Sequence, residues 1–143
     1  MFHYRGADML AALDRLRQEK GDAYEGLQMQ LVNPVTGKPV YPTLDYNVQM
    51  LRPGEELRAK RETCSTFIVV MAGSGYSEIG GKRYDWEEND IMVVPNFQWR
   101  RHVNTGKGDA VLYTVSDAAL MKNIGQYRAQ GKTAAGEIAQ LVA

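Results

Sequence analysis

Four side chains near the middle of the chain, Lys60, Glu62, Cys64 and Thr66, recur at a spacing of two, and Arg100 and His102 repeat that spacing later. Residues two apart on a strand share a face, so each set would present its polar groups to one side of a sheet. Three chemistries are open to such a cluster. Glu62, Cys64 and His102 are ordinary donors for a borderline divalent metal. Arg100 and Lys60 could instead hold a carboxylate, Arg100 through a forked pair of N–H bonds. Alternatively, the charges neutralise one another and fix the packing of the barrel. Lysine and arginine offer no lone pair at neutral pH and repel a cation, so the metal reading is the weakest of the three. Cys64 with His102 has the makings of a nucleophile and base, but that needs a third orienting group. A packed interior cysteine beside a hydrogen-bonded histidine is the simpler expectation.

The elements that must carry these residues follow from periodicity. Between residues 44 and 116 short alternating runs succeed one another at 46–51, 56–62, 66–71, 76–79, 91–94, 99–104 and 110–115. Arg52-Pro-Gly, Gly73-Ser-Gly, Gly80-Gly, Glu87-Glu-Asn-Asp and Thr105-Gly-Lys-Gly separate them. Evenly spaced short strands with glycine-rich turns predict an all-β antiparallel sandwich or barrel. No helix follows Gly73-x-Gly or Gly80-Gly, so these are hairpin turns rather than phosphate loops. Leu27-Gln-Met-Gln-Leu-Val adds a strand with one wet face, and residues 33–42, with three prolines and a glycine, predict an ordered extended loop.

Leu10, Leu13 and Leu16 stand at helical spacing over residues 6–20, with Gly21 as a stop, and predict one amphipathic helix packed on the barrel. Ser116-Asp117 is a good N-cap, beyond which 118–128 and 133–142 read as helical. The expected organisation is thus an N-terminal helix and lead-in (1–26), a barrel (27–116) and C-terminal helices (117–143). Tyr84, Trp86, Phe97 and Trp99 could line an aromatic-binding pocket, with Trp99 beside Arg100, although aromatics in small barrels mainly fill the core. His3 is expected at the surface or an interface.

Composition narrows the partners. The chain has 143 residues, with 17 lysines and arginines balancing 17 aspartates and glutamates, which points away from nucleic acid and anionic membrane surfaces. No apolar run approaches the roughly 20 residues of a membrane span, and no signal-peptide core is evident. A single cysteine cannot form an internal disulfide, which fits a cytoplasmic protein.

Gly54, Gly73-x-Gly, Gly80-Gly, Trp86, Asp90-Ile-Met-Val-Val-Pro95 and Asn104 resemble the two sequence blocks of a cupin, a double-stranded β-helix or jelly-roll barrel. Cupins usually hold a divalent metal through G-x5-H-x-H-x3-E-x6-G and P-x-G-x2-H-x3-N. Aligned on Gly73 and Pro95, the ligand positions are occupied here by Lys60, Glu62, Thr66 and Arg100. Phe2-His-Tyr, the block from Leu31 through Asn33-Pro-Val-Thr-Gly to Leu44, Ser65-Thr-Phe-Ile-Val-Val-Met-Ala-Gly-Ser-Gly75, Tyr84-Asp-Trp and Val115-Ser-Asp-Ala-Ala-Leu120 are more specific. They resemble the C-terminal half of the gentisate 1,2-dioxygenase family, which includes enzymes acting on salicylate and 1-hydroxy-2-naphthoate.

Those enzymes are bicupins in which Fe(II), held by three histidines, sits in the N-terminal cupin. The resemblance therefore implies a half-length relative or a piece of a longer enzyme, with no cofactor in this chain and Fe(II) only in a partner cupin. It further implies packing on a second cupin in cis or in trans, homo-oligomerisation, and no catalytic residues to carry over. A small aromatic acid held by Arg100 and Lys60, with Glu62, Cys64, His102 and Trp99 around it, is the alternative, and an unorthodox Glu62/Cys64/His102 metal enzyme is a third.

Overall fold

In the computed structural model, which describes residues 2–142, Gly6–Arg15 forms α1 and Leu27–Leu31, Asp45–Leu51, Lys60–Glu62 and Thr66–Ala72 form β1 to β4. Gly75–Ile79, Lys82–Trp86, Ile91–Val94, Arg100–Asn104 and Ala110–Ser116 are β5 to β9. Ala118–Asn123 is α2, and Ala129–Lys132 and Ile138–Val142 are β10 and β11. Two antiparallel sheets result, ordered β1-β2-β9-β4-β7 and β11-β10-β3-β8-β5-β6. This is the antiparallel double-sheet barrel that the strand and turn spacing predicted, in the jelly-roll form that the resemblance to cupins implied.

The space between the sheets has two chemically distinct ends. At one, Leu51, Leu57, Ile68, Val70, Ile79, Trp86, Val94, Ala110 and Leu112 form the apolar core. Burying a side chain of this size stabilises by roughly 1.5–3 kcal/mol. At the other end the inward positions of the same strands become polar: Gln49, Thr66, Arg100, His102, Thr114 and Ser116 line a small interior cavity. The period-2 alternation thus continues through both ends, and only the chemistry of its inward residues changes.

Helix α1 covers part of the outer face of the five-stranded sheet. Leu13 is fully buried there with Leu27, Val48, Met50 and Val111, and Leu16 packs at the margin. Leu10 remains exposed, and the helix stops at Arg15 rather than running to the glycine at 21. Turn hydrogen bonds from Leu16 to Leu13 and from Glu19 to Leu16 replace its last turns.

Three departures from the sequence reading have physical causes. Lys82–Trp86 is an edge strand that the periodicity did not reveal, because only Trp86 of its residues is buried. It is joined to β5 through Gly80 and Gly81, whose φ values of 59° and 82° suit the two central positions of a tight hairpin turn. The run predicted over 56–62 shortens to β3, since Leu57 and Arg58 bond instead to the carbonyls of His102 and Ala23.

The third departure is the C-terminal segment, which is not helical beyond α2. Gly125, at φ 71°, ends that helix, and 129–142 forms the β10–β11 hairpin. β10 pairs with β3 through Ala129↔Glu62, Gln130↔Arg61 and Gly131↔Lys60. An alanine-rich helix with a weak apolar stripe gains little by itself, whereas an unpaired β3 edge supplies a full row of backbone partners. Asp117 occupies the N-cap position without capping; its carboxylate accepts from the Ser65 N–H at 2.8 Å.

Candidate functional site

The polar end of the barrel is built around two short pieces of backbone. Lys60 and Glu62 lie on β3 with their side chains turned inward, and Arg100 is the register partner of Lys60 on β8. A fourth member comes from the lead-in to β1. Asp22 Oδ1 accepts the N–H groups of Tyr24 and Glu25 at 2.7 and 3.0 Å, and Asp22 and Gly26 exchange backbone bonds. This turn aims Glu25 into the mouth of the barrel.

The four form one ion-pair tetrad. Lys60 Nζ lies 3.0 Å from Glu25 Oε1 and 2.8 Å from Glu62 Oε1. Arg100 Nη2 bonds to Glu25 Oε1 and lies 3.3 Å from Glu62 Oε1, while Nη1 donates to the Tyr24 carbonyl at 3.1 Å. Gln49 Nε2 donates to the Glu25 carboxylate, and Cys64 Sγ donates to Glu62 Oε2 at 3.1 Å. The four charged side chains keep between 10% and 15% of their surface exposed, so solvent screens the pairs only weakly.

The electrostatics follow from this packing. Burial by itself would raise the Glu62 carboxyl, but the Arg100 and Lys60 charges overcome it and hold it well below the usual carboxylate range. Burial likewise opposes the Lys60 charge, and Glu25 and Glu62 more than restore it, so its pKa is raised. The Cys64 thiol is pushed up by burial and then by the Glu62 charge, which keeps it protonated and a poor nucleophile.

His102 is fully enclosed, and burial followed by the Arg100 charge lowers its pKa to about 3, so the ring is neutral. Its Nδ1 lies 2.6 Å from Ser77 Oγ, which accepts from Trp86 Nε1 at 2.9 Å. An indole N–H can only donate, so the Ser77 hydroxyl keeps its own proton free for His102.

The structure therefore brings together Lys60, Glu62, Arg100 and Cys64, with Thr66 and His102 on the adjoining cavity wall. It separates the others. Cys64 is bonded to Glu62 and His102 to Ser77, so they form no nucleophile–base pair. Trp99 lies away from the tetrad, with the Arg61 guanidinium 4.6 Å and the Lys132 ammonium 5.2 Å from its ring centre. Phe97 flanks the same arginine at 4.2 Å. Tyr84 and Phe97 are exposed, and of the four aromatics considered only Trp86 joins the core. His3 is exposed.

Glu25 was not anticipated. The Asp22 turn and Gly26 mark a tight entry to β1, but nothing in their spacing shows that the intervening carboxylate reaches β3 and β8.

The donor set does not suit a divalent ion. The Glu25 and Glu62 Oε1 atoms are engaged by two fixed cations each, and those cations offer no lone pair. Among the described residues no group of three or more His, Cys, Asp or Glu side chains is placed to hold a metal ion.

The double-sheet barrel and a sequence match over residues 47–116 show that this chain carries a cupin domain. The chain is homologous to gentisate, salicylate and hydroxynaphthoate dioxygenases. It is 37% identical over 138 residues to 5-aminosalicylate 1,2-dioxygenase of a Comamonas species, covering 95% of this chain and 37% of that protein. With gentisate 1,2-dioxygenase 1 of Aquipseudomonas alcaligenes it shares 30% identity over 129 residues, covering 90% and 37%. The crystal structure of salicylate 1,2-dioxygenase from Pseudoaminobacter salicylatoxidans with gentisate superposes with a TM-score of 0.81 at 28% identity. That match covers 90% of this chain and 36% of the other, so the chain spans little more than a third of the length of these relatives. Among the described residues no helix is long and apolar enough to cross a membrane.

Proposed function

We propose that this chain is the cupin half of a ring-cleaving dioxygenase of the gentisate and salicylate type that does not carry the iron. In this reading it serves assembly and is silent in ring cleavage by itself. The observation that carries it is the ion-pair tetrad in which Lys60, Glu62 and Arg100, at three of the four positions aligned with the cupin metal ligands, are tied together by Glu25. Ring cleavage of this type needs an iron with open positions for substrate and O2, and two cations at the ligand positions oppose it.

An assembly role draws support from the outer face of the five-stranded sheet beyond α1. Phe67, Ile91 and Val93 are exposed there by 42%, 61% and 56%. They adjoin one another, because Phe67 pairs with Val93 and Val69 with Ile91 in the β4–β7 ladder. A contiguous exposed apolar patch of this kind is typical of a surface that another domain covers. The carboxylate-binding alternative at Arg100 and Lys60 is less well supported, since both cations already carry two carboxylates.

Purified chain supplied with Fe(II), O2 and gentisate is expected to show no ring-cleavage absorbance. Turnover above the protein-free control would overturn this reading. Stoichiometric iron or zinc in protein purified without chelator, lost in His102→Ala, would overturn the metal-free assignment separately.

A further inference from the structure

We propose that the polar mouth of the barrel is a binding site for a small, neutral, polyhydroxylated molecule, of the size range from glycerol to a monosaccharide. The mouth opens beside the tetrad as a cavity of about 360 Å³, lined by Gln28, Gln30, Asn47, Ser116, Lys60 and Tyr127, among others. That volume lies within the ordinary range of small-molecule sites.

The ligand class follows from what the lining can and cannot satisfy. Its charges balance within the protein. Glu25 and Glu62 are matched by Lys60 and Arg100, and Asp45 has Gln30 Nε2 at 2.7 Å and Lys122 Nζ at 4.0 Å. An anion would meet the carboxylates of Glu25, Asp45 and Glu62, and a cation the ammonium groups of Lys60 and Lys122, in each case without a free counter-charge. An apolar ring would strip water from amides and hydroxyls and return no hydrogen bond, leaving their desolvation uncompensated. A neutral polyol avoids both penalties.

The free groups are of the right kind to read hydroxyls. Among the described residues the amides of Gln28 and Asn47 have no hydrogen-bond partner in the protein, so each presents an acceptor oxygen and a donor nitrogen to the cavity. Tyr127, half-buried at the rim under the Lys122 ammonium 4.9 Å from its ring centre, adds a flat apolar surface for C–H groups. Gln28 on β1 and Asn47 on β2 sit on adjacent paired strands, so the sheet fixes their relative placement.

The test is a titration of the ¹⁵N-labelled chain, followed by amide shifts, with glycerol, myo-inositol and glucose as probes and gentisate and salicylate as charged comparators. Saturable shifts centred on β1 and β2 are expected with at least one neutral probe, weakened about tenfold in Asn47→Ala. Gln28→Ala is the second variant, because Gln28 is exposed and its truncation leaves the fold intact. Small unsaturable shifts with all three polyols would overturn the proposal, as would tighter saturable binding of gentisate or salicylate, or a response unchanged in both variants. Ring-cleavage activity is a separate readout, so this proposal and the assembly reading can fail independently.

Discussion

Lys60 and Arg100 face each other as register partners across β3 and β8, two cations on the inner side of one strand pair. Like charges directly opposite destabilise a ladder, and here they are tolerated because the Oε1 atoms of Glu25 and Glu62 each contact both. Removing one carboxylate leaves a half-buried cation short of its partner. Glu62→Ala and Glu25→Ala are each expected to cost about 3 kcal/mol in urea unfolding. Lys60→Met combined with Glu62→Leu removes one cation and one anion together, so its cost should fall below the sum of the singles. An additive pair would show that the charges do not act as a unit.

Acid should destabilise the fold in two stages. His102 is neutral when folded, with a pKa lowered to about 3 against an ordinary 6.5. Its contribution is therefore complete above pH 6.5 and declines as the pH falls toward 3, where the unfolded chain takes up the extra proton. The expected slope is about 1.4 kcal/mol per pH unit in that window. Glu62, held low by Arg100 and Lys60, adds a second loss that begins as the pH drops below 4.5. His102→Gln should remove the first stage and keep the second, measured as unfolding free energy against pH.

Ser77 links His102 to Trp86, and truncating it strands two buried polar groups. Ser77→Ala is expected to cost about 2 kcal/mol, with a change in Trp86 fluorescence as the indole N–H loses its acceptor. Ser77→Thr retains the hydroxyl and should recover part of the loss.

The β10–β11 hairpin is held against Tyr24. A Cβ on Gly131 would stand 2.5 Å from the Tyr24 ring, whose hydroxyl donates to the Lys132 carbonyl at 3.1 Å. Gly131→Ala should displace that ring, cost about 2 kcal/mol and speed hydrogen exchange at Thr63 and Lys132. Those two amides bond to Arg128 and Ala59 across the β3–β10 junction, so unchanged exchange there would show that the hairpin docks without Tyr24.

Much of this protein is legible without coordinates. Alternation and glycine-rich turns determine an antiparallel sandwich or barrel, because a period of two and tight reversals admit few other packings, and the resemblance to cupins narrows it to a jelly roll. The same alternation sets Lys60 and Glu62 on one face, and the resemblance to cupin blocks places Arg100 opposite them. What only the tertiary structure decided are contacts between segments distant in sequence. Glu25 enters the tetrad because the Asp22 turn and the β1–β2 pairing bring it over β3, a distance that local periodicity does not encode. Trp99 leaves the site because its ring meets Arg61 and Lys132, the latter supplied by β10, which forms between the two runs that periodicity reads as helical. Residues 133–142, which read as helical, join a hairpin with β10 for the same reason: their local preference is weak, and the open edge of β3 supplies β10 with backbone partners that a lone helix there would lack.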